Sequence, residues 1–218
     1  VADLRRQFPV EHIELQPSPA IVWPIFHWAL THLHRQKGYS LVDLFDAQIT
    51  FDSAMNLAAA MGIPHVIAGL SKTQVESVFS PGVWAWPRDG FDLPATVGVR
   101  REEAHADQQQ SLWYRAERWP EARRPLLLTP FVLWDPSESY ILAETTRLGL
   151  LPQGRSSPLL TNNALIPIIG LAEVAHFGYS SFEVQFAREV REGKSDRARW
   201  ISVFEMLEFA AKTGRFLN

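Results

Sequence analysis

One stretch constrains the fold more than any other: the apolar run His65-Val66-Ile67-Ala68, bounded by Gly62-Ile63-Pro64 before it and Gly69 after it. It follows a helical pattern over residues 41–61 that Gly62 is placed to end. A short apolar run punctuated in this way reads as a buried strand of a parallel sheet. Helix, glycine, strand and glycine loop in succession is the rhythm of a layered α/β fold.

The flanking segments extend the pattern. Residues 3–8 read as the end of a helix, and Val10, Ile13 and Leu15 in a polar alternation read as a short strand. Pro17 and Pro19 break it. Residues 20–36 place Val22, Ile25, Phe26, Ala29, Leu30 and Leu33 at helical spacing, with Gly38 as the stop. Residues 77–125 change character, gathering Pro, Gly, charge and four tryptophans, Trp84, Trp86, Trp113 and Trp119. They read as an irregular excursion or helical insertion that serves as lid or partner surface. An extended segment is expected at 126–131 and a helix from Ser137 to Leu148 with Gly149 as its cap. Helices follow at about 163–177, 180–192 and 195–213. The division implied is 1–76, an α/β part; 77–125, the insertion; and 126–218, a mostly helical substrate or assembly region.

At 218 residues and 46% hydrophobic, the chain can bury a substantial core. Its net charge of -3 argues against a dedicated nucleic-acid binder. With no cysteine, a disulfide, a thiolate zinc site and a thiol nucleophile are all excluded. No run reaches the ~18 apolar residues of a membrane span. A cytoplasmic setting is the expectation. The first residues do not form a signal peptide, and they are expected to belong to a fragment or a processed chain.

Three groups of residues carry possible chemistry, each with a bland alternative. In Gly69-Leu70-Ser71-Lys72-Thr73-Gln74 the glycine lets a ligand approach the backbone at a strand end, where Ser71, Lys72 and Gln74 could meet a phosphate. Ser71 reads equally as a helix cap. Thr161, Asn162 and Asn163 precede an apolar helical run, where capping and anion binding use the same free N–H groups. Arg188, Arg191, Lys194, Arg197 and Arg199 form a basic cluster. Basic residues near a helix end match its dipole, and arginine forks suit phosphate. His27, His32 and His34 have the wrong spacing for a metal site on one helix face.

In chain order, four pieces resemble the PP-loop ATP pyrophosphatases, in particular their amidotransferase- and ligase-like branch. They are the 8–15 strand, the helix closing in Ala58-Ala59-Ala60-Met61-Gly62, the Gly69 to Gln74 loop, and Ser157 to Asn163 with the trailing Gly178-Tyr179 and Arg191-Glu192-Gly193. The resemblance implies an α/β fold with an open parallel sheet of the HUP/PP-loop type, incomplete in this chain, and a helical C-terminal region. It implies ATP and Mg2+ as cofactors, with Gly69, Ser71 and Gln74 beside the nucleotide. Lys72 and Arg191 would be the catalytic cations, and Thr161, Asn162 and Asn163 would hold a small-molecule substrate. The reaction would adenylate a carbonyl or carboxylate oxygen, release pyrophosphate, and let a nitrogen nucleophile displace AMP.

The sequence departs from that family twice. Residues 44–50 have no cysteine, which disfavours zinc binding and thiolation, and the Ser-Gly-Gly-x-Asp-Ser loop is absent. The missing loop is expected from upstream residues or from a companion polypeptide, in a homo- or hetero-oligomer. The alternative expectation is a non-catalytic binding or assembly subunit on a degenerate scaffold.

Overall fold

The computed structural model describes residues 8, 10–78, 82–104, 112–150 and 165–215. The chain is helix-rich, with one small mixed sheet. In order, α1 spans Pro19–Thr31, α2 Leu41–Met61, β1 His65–Ile67, α3 Lys72–Val78, β2 Ala85–Trp86 and α4 Leu93–Thr96. Then come β3 at Leu126–Leu128, α5 at Phe131–Trp134, α6 at Glu138–Arg147, α7 at Leu165–Phe177, α8 at Ser181–Arg191 and α9 at Arg197–Thr213. Short 3-10 turns at Leu33–Arg35, Arg101–Ala104, Ala116–Arg118 and Glu121–Arg123 join them.

The longest helix, α2, organises the core. Ser40 caps its start by accepting from the Asp43 N–H, and Gly62 ends it in the left-handed region at φ 71°. It carries apolar residues on two sides and packs into two clusters. Leu41, Val42, Phe45 and Ile49 meet α1 and Ile169 of α7. Leu44, Phe51, Met55 and Ala59 meet Trp86, Leu93, Tyr114 and Leu127. A third cluster joins Leu171 and Val174 of α7 to Trp200, Val203 and Leu207 of α9. Gly170 makes the α7–α9 approach possible, because a Cβ there would lie 2.8 Å from Leu207 Cδ2.

In the sheet β3 is central, in the order β1-β3-β2. It pairs parallel with β1, Val66 opposite Leu127, and antiparallel with β2, Trp86 opposite Leu127. The parallel pairing of residues 65–67 matches the sequence reading. Their burial does not: β1 is an edge strand, Ile67 is 71% exposed, and the fully buried strand residues are Leu127 on β3 and Trp86 on β2. Residues 10–18 form no strand. Val10, Ile13 and Leu15 stay exposed, so their alternation has no apolar face to bury against. Residues 112–125 and the described part of 77–104 are irregular, as their composition suggests, yet they build core: Trp86 and Trp113 are buried. β1, β2 and β3 come from the three segments 1–76, 77–125 and 126–218, so all three share one sheet.

Candidate functional site

The turn after β1 forms one wall of a cleft. Ser71 precedes α3, and its backbone N–H donates to Gln74 Oε1 at 2.9 Å while the Gln74 N–H donates to Ser71 Oγ at 3.1 Å. The reciprocal pair satisfies two backbone donors at the start of the helix. Gln74 also hydrogen-bonds Tyr39, which hydrogen-bonds Asp43 of α2. Burial is the largest cause pushing both acids up: Tyr39 well above the usual phenol value and Asp43 to about 6.

The facing wall is α8. Ser180 and Glu183 close a capping box at its start. One turn apart, Gln185 and Glu189 present buried polar side chains on one helix face. Glu189 accepts from Ser195 Oγ at 3.0 Å, and from Ser71 Oγ and Gln185 Nε2 at 3.5 Å each. The floor comes from the α5–α6 corner, where Asp135 is held at φ 49° and bridges Lys194 at 2.8 Å. Lys194 also bridges Glu192 at 2.7 Å. Burial disfavours the ammonium, but its two carboxylate partners outweigh that and raise its pKa. Lys194 and Arg188 hold the Glu192 carboxyl down to about 2. Glu138 is taken by Arg199 at 3.1 Å and by Trp200 Nε1 at 3.1 Å.

Of these groups, Ser71, Gln74, Asp135, Gln185, Glu189 and Lys194 line a cleft of about 240 Å³, with Ile141, Leu142 and Phe186 among its apolar walls. Behind it lies an apolar slot of about 190 Å³ between α7, α8 and α9, lined by Phe182, Val203 and Leu207. Phe186 stacks on Trp200 at 3.3 Å between ring centres beside this slot. Gln74, Gln185 and Phe186 line both cavities, so they form the partition between them.

Of the residues singled out from sequence, Gly69, Ser71 and Gln74 come together in the cleft. Lys72 turns to Glu76, 3.9 Å away, and Glu76 also takes the Arg188 guanidinium, tying α3 to α8. Arg191 is exposed and borders a different groove, beside Val190, Arg197 and Trp200. Thr161, Asn162 and Asn163 lie outside the described residues. Sequence reasoning missed Asp135, Gln185 and Glu189. The available signal was the Gln185–Glu189 spacing of four, which puts two polar groups on one face of a helix whose other residues explain the apolar packing.

Among the described residues no group of three or more His, Asp or Glu side chains could hold a metal ion. No single described helix is long and apolar enough to cross a membrane; α7 and α8 pass that test only as a pair, bent by 100°. Comparison with known proteins gives no family: no family model, no curated protein and no solved structure matches this chain.

Proposed function

We propose that this chain is a binding subunit that holds a small organic molecule in the cleft between the Gly69 turn and α8. The observation that carries the reading is convergence. Ser71 from the turn after β1, Asp135 from the α5–α6 corner, and Gln185, Glu189 and Lys194 from α8 and the turn after it line one partly apolar cleft. A concave, mostly apolar site with a few convergent polar groups is the usual form of a small-molecule site. Its position beyond the carboxyl end of a parallel strand is where sheets with helices on them take ligands. Ligand-observed NMR with a mixture of small organic fragments tests it. Fragments should bind the wild-type chain and be lost when Ile141→Trp fills the cleft. Undiminished binding to a folded Ile141→Trp variant would overturn the reading, as would no binding at all.

A second reading is favoured by the parallel β1–β3 pair with Gly69 leaving the strand end. Here the chain is part of a PP-loop ATP-dependent ligase or amidotransferase, with the open parallel sheet of the HUP type completed by a loop-bearing segment. ATP and Mg2+ lie against Gly69, Ser71 and Gln74. Lys72 and Arg191 act on the transferred phosphoryl group, and Thr161, Asn162 and Asn163 hold the acceptor. This reading ranks second because Asp135, Glu138 and Glu189 oppose a phosphate in the cleft and Arg191 borders another groove. It requires AMP and pyrophosphate as products once the loop-bearing polypeptide is supplied. ADP and phosphate as products would overturn it.

A further inference from the structure

Two neighbouring acceptors in the cleft need donors. Gln185 is 7% exposed, and its Oε1 has no hydrogen-bond partner among the described residues. Leaving such an acceptor unmet is costly, so groups of this kind ask for an explanation. One helical turn on, Glu189 is 9% exposed, and among the described residues it meets only hydroxyl and amide donors, those of Ser71 and Gln185 at 3.5 Å. Among the described residues no salt bridge reaches it. The cations nearby are already committed: Lys194 to Asp135 and Glu192, Arg188 to Glu76 and Glu192, and Arg199 to Glu138. Among the described residues, the charge left without a countercharge in the cleft is the Glu189 carboxylate, and burying it unpaired is costly.

A primary ammonium answers both acceptors. One N–H donates to the Glu189 carboxylate and another to Gln185 Oε1, which lies one turn away on the same face. Phe186, Ile141 and Leu142 supply an apolar wall beside that point. The cleft holds about 240 Å³, and a cavity of ~150 Å³ takes a benzene ring. We propose that the cleft recognises a primary amine carried on an apolar or aromatic body, with Glu189 as its counter-ion and Gln185 as the second acceptor. The proposal rests on the reading of the cleft as a small-molecule site.

Calorimetric titration of the whole chain with 2-phenylethylamine, 2-phenylethanol and phenylacetate tests it. The three probes share a ring and differ in the charge of their polar end. The amine should bind about tenfold or more tighter than the alcohol, with the acid weakest, because only the cation gains the buried charge pair. Glu189→Gln should remove the amine's advantage, bringing amine and alcohol to similar affinity. Gln185→Leu should weaken both by about threefold to tenfold, the loss of one hydrogen bond. An amine that binds no tighter than the alcohol in the wild-type chain overturns the proposal, whatever the variants do. So does a folded Glu189→Gln variant that keeps the amine's advantage. If the alcohol or the acid binds best and Ile141→Trp abolishes that binding, the small-molecule reading stands and the amine assignment falls. If no probe binds the folded chain, both fall.

Discussion

Asp52 sits on the buried side of α2, 1% exposed, in a helix that is otherwise mostly apolar. Burial raises its pKa to about 7. Hydrogen bonds from Gln48 and attraction to Arg101 pull the other way and do not win. Arg101 lies 3.3 Å from Asp52 but is shared with Asp92 at 2.8 Å, so its charge is already largely answered. The folded chain therefore holds the Asp52 proton more tightly than the unfolded chain does. Between the ordinary carboxylate pKa of about 4 and about pH 7, the folded state binds more protons. Stability from this group is fully present below that window, falls as pH rises through it, and is level above it. Asp43, raised to about 6, works in the same direction. Asp52→Asn should flatten the decline, leaving the part due to Asp43, in urea denaturation at a series of pH values. An unchanged slope would show that Asp52 titrates normally.

At the scale of elements, the ends of α2 show how local chemistry fixes geometry. Gly62 adopts φ 71°, its N–H donates to Ala59 O at 3.3 Å, and Ile63 N–H donates to Ala58 O at 2.8 Å. Nothing lies within 4 Å of a Cβ added there, so the conformation, not crowding, demands glycine. Gly62→Ala should cost about 1 kcal/mol in chemical denaturation, with no change in core packing. A neutral result would mean that the turn into β1 relaxes freely. Such signals are local, which is why they could be read from sequence: α2, α6, α8 and α9 fall close to their expected ranges, and Ser137 and Gly149 mark α6 as expected, whereas α1 stops at Thr31 and the rest of its expected range holds a 3-10 turn at Leu33–Arg35. Edge or centre is not a local property. Val10, Ile13 and Leu15 carry a strand pattern, but no neighbouring strand takes it up, and His65 to Ile67 gave no hint that Leu126 to Leu128 would take the centre of the sheet. The candidate site divides along the same line. Gly69, Ser71 and Gln74 were legible because a strand–turn–helix transition announces itself. Glu189 and Gln185 were not, because their meaning depends on α8 lying across the cleft from that turn.

Across the whole molecule, three apolar clusters are stitched by elements that belong to two of them. α2 serves the first and second, and α7 serves the first through Ile169 and the third through Leu171 and Val174. Polar contacts reinforce the seam. Glu173, fully buried on α7, accepts from Gln36 Nε2 at 2.8 Å, from the Ser181 N–H at 2.7 Å and from Ser180 Oγ at 3.1 Å. One carboxylate thus ties the segment before α2 to the corner between α7 and α8, and its burial is compensated by donors rather than by a cation. The Arg188–Glu76 pair ties α8 to α3 in the same way. With the sheet also shared by all three sequence segments, no set of elements can leave without stripping a neighbour of core. Unfolding should therefore be one cooperative event. Leu44→Ala in the second cluster and Leu207→Ala in the third should each cost about 2–5 kcal/mol. In both variants the loss of helical circular dichroism and the change in tryptophan fluorescence should move together, by the same amount. A Leu207→Ala chain that loses part of its helix in an early, separate transition, with the fluorescence of the second cluster unchanged, would show that α7 to α9 form an independent unit. The cleft, whose walls come from both sides of that seam, would then open and close with that unit and bind only while it is docked.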